Sequence, residues 1–259
     1  MKMLWLTAIL LTAMSTMTFA NEGDNHVPID HITKWKGDPY QGSINLTLNH
    51  EHGMISARIE TDDLLLVSLT SDQLDNYVSL FTDPKTMALY TNGQPWTQEH
   101  VEAAVHKWVM RWEKDQDPYS AFAIFEKKKN HFIGHIVLGH GSRYAQAELA
   151  FLFTAAFRKV NYATQAVTAI LNGYVPRLMQ DQYPVNLNSS VIDASYLRSI
   201  HATSQYNDTF TGQAMIRSGM SIAEDDILWG AQRFDYLIRV DQILHSVIFP
   251  DEELFNSGD

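Results

Sequence analysis

"FRKVNYATQAV", Phe157–Val167, is the stretch on which the reading of this chain turns. Two cations and an Asn open what reads as a helix, and the small residues Ala163, Thr164 and Ala166 follow. Ala163, Ala166, Val167, Ile170, Leu171 and Tyr174 then share one face at helical spacing, until Pro176 disturbs the last turn. Between Leu149 and Gln180 there is no Asp or Glu, in a chain that carries 30 of them and a net charge of -11. A helix start offers unpaired N–H groups and the positive end of a dipole, and Arg158 and Lys159 add charge just before it. The stretch is therefore either an anion site or a core helix whose first turn is basic.

Working outward, "AFAIFEK", "HFIGHIVLG" and "AELAFLF" are three short β-branched and aromatic runs split by "KKKN" and "HGSRYAQ", which predicts an antiparallel meander. Further upstream, Leu64–Leu69 reads as a strand. Ser71 can cap a helix carrying Leu74, Tyr77, Val78 and Phe81, ended by Asp83-Pro84. Thr97 can cap a second helix with Val101, Ala104, Val105, Trp108, Val109 and Trp112 on its stripe, after the loop "YTNGQPW". Downstream, a polar insertion over Gln180–Ser195 leads to a strand at "LRSIHAT", then to a helix stopped by Gly219 at a left-handed C-cap, and "AQRFDYLIRV" closes as a strand. There is no internal repeat.

With 259 residues, 45% of them hydrophobic, the chain can build one sizeable α/β domain, or two small ones, around a buried core. The acidic balance excludes a general nucleic-acid binder and steers amines and basic peptides toward the surface. With no Cys, disulfides, thiolate metal sites and a Cys nucleophile are excluded. His50-Glu51-His52, with His26 and His31, lacks ordered ligand spacing and reads as solvated linker, so no metal is expected; His131, His135 and His140 read as structural. Asn45, Asn188 and Asn207 open glycosylation sequons, which matter only in a eukaryotic secretory host.

At the N-terminus, Lys2, the apolar run Leu4–Met14 and the small residues through Ala20 read as a cleavable signal over 1–20, too short to anchor stably in a bilayer. Residues 21–53 read as a linker or extension, 54–245 as the domain and 246–259 as an acidic tail. Export to the periplasm or medium follows. The alternative is a cytoplasmic protein whose true start lies near Met54.

The order of motifs resembles one family. Arg158-Lys159-Val160-Asn161-Tyr162-Ala163 is similar to the R/Q-x-x-G-x-G/A acetyl-CoA motif of GNAT N-acetyltransferases, and "YATQA" to the "YATEA" of their ribosomal-protein (RimJ/RimL-like) branch. "TDDLLLVSLTSDQL", "GQPWTQEHV", "FIGHIVLG" and "AELAFLF" precede it as in that branch, and "HATSQYNDTFTGQAMIRSGM" and "WGAQRFDYLI" follow it, so the resemblance covers roughly Ile59–Val240. It implies a GNAT fold, a mixed and mostly antiparallel sheet flanked by helices. It implies acetyl-CoA as co-substrate, its pyrophosphate cradled by Arg158, Lys159, Val160, Asn161, Tyr162, Ala163 and Thr164. Phe151, Leu152 and Phe153 would pair with its pantetheine and hold the thioester carbonyl, whose oxyanion needs a preorganised donor. Two residues depart from the family pattern. Asn161 stands where the family has Gly, at a position expected to favour positive φ, and Gln165 replaces the usual Glu, a change expected to matter less.

Acetyl transfer needs a neutral amine and a proton for the departing thiolate. By resemblance, Glu148 is the candidate base through water, with an ordinary strand carboxylate as the alternative. Thr211 is a candidate for positioning or proton relay near the sulfur, and Asn207 a cofactor contact. Tyr236 reads as a satisfied core tyrosine before it reads as an acid. An α-amine near pKa ~8 is neutral far more often at pH 7.5 than a Lys near ~10.4. The expected reaction is therefore transfer of acetyl to a protein N-terminus or small amine by direct attack. The alternative is an exported GNAT-fold binding module without turnover. Because acetyl-CoA is cytosolic, an exported enzyme would work where another cytosol or lumen supplies it. The sequence assigns neither an acceptor nor an oligomeric state.

Overall fold

Strands of alternating burial build a single sheet in the computed structural model, which describes residues 39–185 and 196–248. The expected signal over 1–20, residues 21–38 of the expected extension, Asn188 and the residues beyond 248 lie outside the described residues. The strands are β1 (Asn45–Glu51), β2 (Met54–Glu60), β3 (Leu64–Ser68), β4 (Ala121–Glu126), β5 (His131–His140), β6 (Gln146–Phe153), β7 (Ser199–Gln205), β8 (Ser221–Leu228) and β9 (Ala231–Arg239). Their order is β1-β2-β3-β4-β5-β6-β7-β9-β8. Every pair is antiparallel except β6 with β7, so the sheet is mixed and mostly antiparallel, as the family resemblance implies. The expected meander is β4-β5-β6.

The helices are α1 (Leu74–Thr82), α2 (Pro84–Met87), α3 (Gln98–Glu113), α4 (Val160–Thr168), α5 (Val175–Gln180), α6 (Thr209–Arg217) and α7 (Val240–Ile248). Because side chains alternate along a strand, β4 feeds two clusters. Phe122 and Ile124 join α4 and its continuation, while Ala121 and Ala123 meet α1 and α3. Each fully buried large apolar side chain, such as Phe122 or Leu171, contributes about 1.5–3 kcal/mol. Thr97 caps α3 by accepting from the His100 N–H at 3.3 Å. Thr70, one residue before the expected Ser71, sits at the start of the turn leading to α1, and its N–H donates to Gln73 Oε1 at 2.9 Å.

All six apolar residues expected on the face beginning at Ala163 are fully buried. Pro176 acts earlier than a broken last turn: residues Ala169–Tyr174 widen into a π-helical segment, and α5 restarts with the proline in its first turn, where a missing N–H costs nothing. Gly219 takes φ +91, and the N–H groups of Gly219 and Met220 close on the carbonyls of Ile216 and Met215 at 3.0 and 3.1 Å.

The structure extends the domain beyond its expected limits. Asn45–Glu51, read as extension, is an edge strand paired along its whole length with β2, and Leu48 enters the core. β8 adds an acidic edge, joined to β9 by a two-residue turn in which Trp229 and Gly230 both have positive φ. α7 continues the closing strand into residues taken as tail.

Candidate active site

β6 and β7 run parallel and touch only from Gln146–Ser199 to Glu148–His201. Beyond Glu148 they part, so among the described residues β6 from Leu149 to Phe153 is paired on one side only, with β5. Backbone groups that find no strand partner must find another, and an extended chain carrying amides would supply it. Gly134 brings β5 close beneath this stretch: a Cβ there would lie 2.4 Å from the Leu152 carbonyl oxygen. The start of α6 faces the gap, with Phe210 edge-on to Phe151 and Phe153.

Two cavities meet at this parting. One is lined by Tyr90, Phe151, Leu152, Phe153, Arg158 and Thr211; the other by His201, Glu224 and Asp235 among others; both include Glu148, Thr203 and Arg233. Their volumes are about 160 and 210 Å³, several times the ~30 Å³ share of one water, so each has room for a ligand group.

Several expected site residues converge on the first cavity: Glu148, Phe151–Phe153, Arg158 and Thr211. Glu148 reaches solvent through the cleft, yet the surrounding protein desolvates it. That desolvation raises its carboxyl above the usual range, Asp235 raises it further, and His201 and Arg233 oppose the rise. Arg158 is half-buried and donates to the Thr86 carbonyl of α2, which fixes its position at the cavity wall. The Thr211 hydroxyl donates to Asp208 at 2.7 Å, within the cap in which Asp208 also accepts the Thr211 N–H. Tyr236 is fully buried and shares a 2.9 Å hydrogen bond with Ser204.

Other expected residues sit elsewhere. Asn207 is exposed in the turn before α6 and lines neither cavity; its neighbour Asp208 lines the first. Val160–Thr164 form the first turns of α4, which begins without a side-chain cap from any described residue. Asn161 corrects the expectation of positive φ, because it lies inside α4 with helical backbone rather than in the turn before it. The Lys159 ammonium sits 4.5 Å over the Tyr162 ring, and the Tyr162 hydroxyl donates to Glu126 at 2.8 Å, which pushes its pKa up to about 12. Asn161 and Thr164 face a third cavity, whose far wall is Pro39–Gly42 with Asp62.

Gln165 matters more than expected. Its amide oxygen accepts from the Thr61 hydroxyl at 2.8 Å and the Asp63 N–H at 3.2 Å, and its NH₂ donates to the Asp63 carboxylate at 2.7 Å. The acid-free stretch thus acquires acidic neighbours from the β2–β3 turn and from β4.

Arg233 was missed by the sequence reading. It is 96% buried, with a relative exposure of 4%. Its Nε donates to Thr203 at 3.3 Å, its Nη1 donates to the Thr91 carbonyl at 3.0 Å, and its guanidinium lies 4.8 Å over the Trp229 ring. Tyr90 was missed as well. Its hydroxyl is kept protonated by burial, reinforced by Glu148, and makes no hydrogen bond to another described residue. The available signal was the polar alternation of β7 and β9: His201 and Thr203, like Arg233 and Asp235, interrupt apolar strands at every second position.

The chain matches the acetyltransferase (GNAT) domain family over residues 63–205. Solved structures of the same fold include a GNAT-family acetyltransferase from Bacillus anthracis, 19% identical over 71% of this chain and 99% of its own, with a TM-score of 0.54. The ribosomal L7/L12 α-N-protein acetyltransferase RimL, solved with coenzyme A, is 14% identical over 70% of this chain and 96% of its own, at a TM-score of 0.53. Spermidine N-acetyltransferase from Vibrio cholerae, solved with CoA and spermine, is 13% identical over 70% and 98%, at 0.54. No curated protein matches in sequence. With the family match covering more than half of its residues, the chain belongs to the GNAT acetyltransferase family.

Proposed function

We propose that this chain is an acetyl-CoA-dependent N-acetyltransferase of the ribosomal-protein type, acting on a protein N-terminus or a small amine. The observation that carries the reading is the pair of cavities joined at Glu148, Thr203 and Arg233, where β6 and β7 part. One side suits the extended amide chain of the co-substrate along Phe151–Phe153; the other, with Glu148, Glu224 and Asp235, suits a cationic amine. Bound acetyl-CoA would supply an activated thioester carbonyl, and the uncapped start of α4 would face its phosphates. Arg233 would offset negative charge developing where the cavities meet. Of the Thr211, Tyr236 and Tyr90 hydroxyls, Thr211 and Tyr236 are engaged within the fold, which leaves Tyr90 to donate a stabilising hydrogen bond to the leaving thiolate. Support from neighbours is of the same kind: one acts on a protein α-amine and another on a polyamine.

The test is thermal unfolding of the chain from Asn21 onward with acetyl-CoA, followed by turnover with spermine and with a lysine-free peptide bearing a free α-amine. Acetyl-CoA at about a hundred times its Kd should add ~2.7 kcal/mol of stability. Binding without turnover of either amine would indicate the non-catalytic binding module instead. Export rests on the N-terminal segment, and N-terminal sequencing of the native protein tests it: Asn21 supports cleavage, Met54 a later start. A chain beginning at Met54 would lose β1 entirely.

A further inference from the structure

We infer that His201, oriented by Asp235, is the base that takes the ammonium proton from the acceptor amine. The inference rests on the proposed acetyl transfer and assigns its proton acceptor. His201 lies opposite Glu148 at the last paired position before β6 and β7 part, and both line the second cavity. Its neighbours Ile200 and Ala202 point into the core, so alternation turns the imidazole to the cleft side. On the adjacent strand β9, Asp235 meets the imidazole Nδ1 with its two carboxylate oxygens at 3.2 and 3.3 Å. An ionised carboxylate only accepts hydrogen bonds, so the neutral ring carries its proton on Nδ1 and keeps a lone pair on Nε2. The two side chains are 16% and 20% exposed, sheltered enough to hold the pair and open enough to meet a ligand.

Among the described residues the charged groups lining this cavity are Glu148 from β6, Arg143 from the loop before it, Glu224 from β8, and Arg233 and Asp235 from β9. Three carboxylates draw a cationic amine in; burial raises the Glu148 carboxyl, but a carboxyl remains more acidic than imidazole at their ordinary values and holds an amine's proton less readily. Imidazole is the side chain whose ordinary titration lies closest to neutrality, which suits a general base. In the reaction, R–NH₃⁺ gives one proton to His201 Nε2 and the freed nitrogen pair forms the C–N bond to the acetyl carbon. The C–S bond then breaks, the second amine proton passes to the CoA thiolate, and the imidazolium returns its proton to water. The products are the amide, CoASH and one released proton.

The test compares the full chain with H201Q and D235N, using acetyl-CoA with the lysine-free peptide and with spermine across pH 6–9.5. H201Q should lower kcat about 100-fold at pH 7. Its deficit should shrink toward pH 9.5, where the α-amine deprotonates unaided. D235N, which favours the wrong tautomer, should lower kcat and displace the acid limb of the pH profile, whereas a merely structural partner would leave that limb in place. Both variants should keep the thermal shift with acetyl-CoA, which reports a folded site. H201Q with an unchanged acid limb and a rate within threefold of wild type would overturn the inference alone. A wild type that binds acetyl-CoA but acetylates neither amine would overturn the underlying reading, and the inference with it.

Discussion

Replacing Gln165 with Glu, the residue its family resemblance leads one to expect, should destabilise this protein. The Gln165 NH₂ now donates to the Asp63 carboxylate at 2.7 Å, while its oxygen takes the Thr61 hydroxyl and the Asp63 N–H. In Q165E the two hydrogen bonds accepted by that oxygen survive, but the NH₂ donor becomes an oxygen facing a carboxylate. Two unit charges about 3 Å apart repel by roughly 5 kcal/mol at an effective dielectric of about 20. Asp63 is exposed, so screening and proton sharing between the two carboxyls reduce the net cost to about 2–3 kcal/mol at pH 7. For a domain of this size that is a fall in Tm of about 4–12 °C, read by calorimetry. The sign with pH follows from the raised pKa of the crowded pair: the penalty is full above that pKa and shrinks as the pH falls and one carboxyl protonates. In D63N/Q165E an amide again faces a carboxylate with the polarity reversed, so most of the stability should return. A Q165E protein as stable as wild type at pH 7, or a D63N change that fails to rescue it, would refute the argument.

Burial holds His135 at a pKa of about 3, amid Tyr77, Phe81 and Trp108, with no partner for its Nε2 among the described residues. Since this folded pKa lies below the unfolded one, its stability contribution is whole above about pH 6.5 and is lost as the pH falls toward 3, on the order of 3 kcal/mol by pH 4. Urea midpoints at pH 7 and pH 4 should therefore differ less in H135L than in wild type. Y90F should lower kcat about tenfold or more and leave Tm nearly unchanged, because the lost hydroxyl bonds no other described residue; a shift in Tm without a loss of rate would remove Tyr90 from the reaction. G134A should cost about 3 kcal/mol, since its Cβ would sit 2.4 Å from the Leu152 carbonyl oxygen and force β5 from β6; calorimetry decides, and a stable variant would show that the strands yield freely.

Local patterns carried much of this architecture. Period-2 runs marked β4, β5 and β6, period-3.6 stripes marked α1, α3 and α4, and Gly219 marked the end of α6, because each of these signals comes from residues close in sequence that share one buried face. β1 and β8 escaped because they are edge strands: "NLTLNHE" buries only Leu48 fully, and "SIAEDDIL" carries the charges that keep an edge from pairing further. α7 was hidden behind the acidic residues that follow it.

The sequence by itself determined the sheet's central meander, the helix that opens within Phe157–Val167 and the motif order that points to acetyl transfer. Only the tertiary structure decided where the chemistry can meet. Arg233 reaches the Thr91 carbonyl across 142 residues, Gln165 reaches Asp63 across 102, and His201 meets Glu148 on one strand and Asp235 on another. The acid-free stretch that looked reserved for an anion receives Asp63 and Glu126 as neighbours through the same folding. Such pairings depend on strand register and on the parting of β6 from β7, and hydrophobic periodicity records which face of an element is buried, not which distant strand lies beside it.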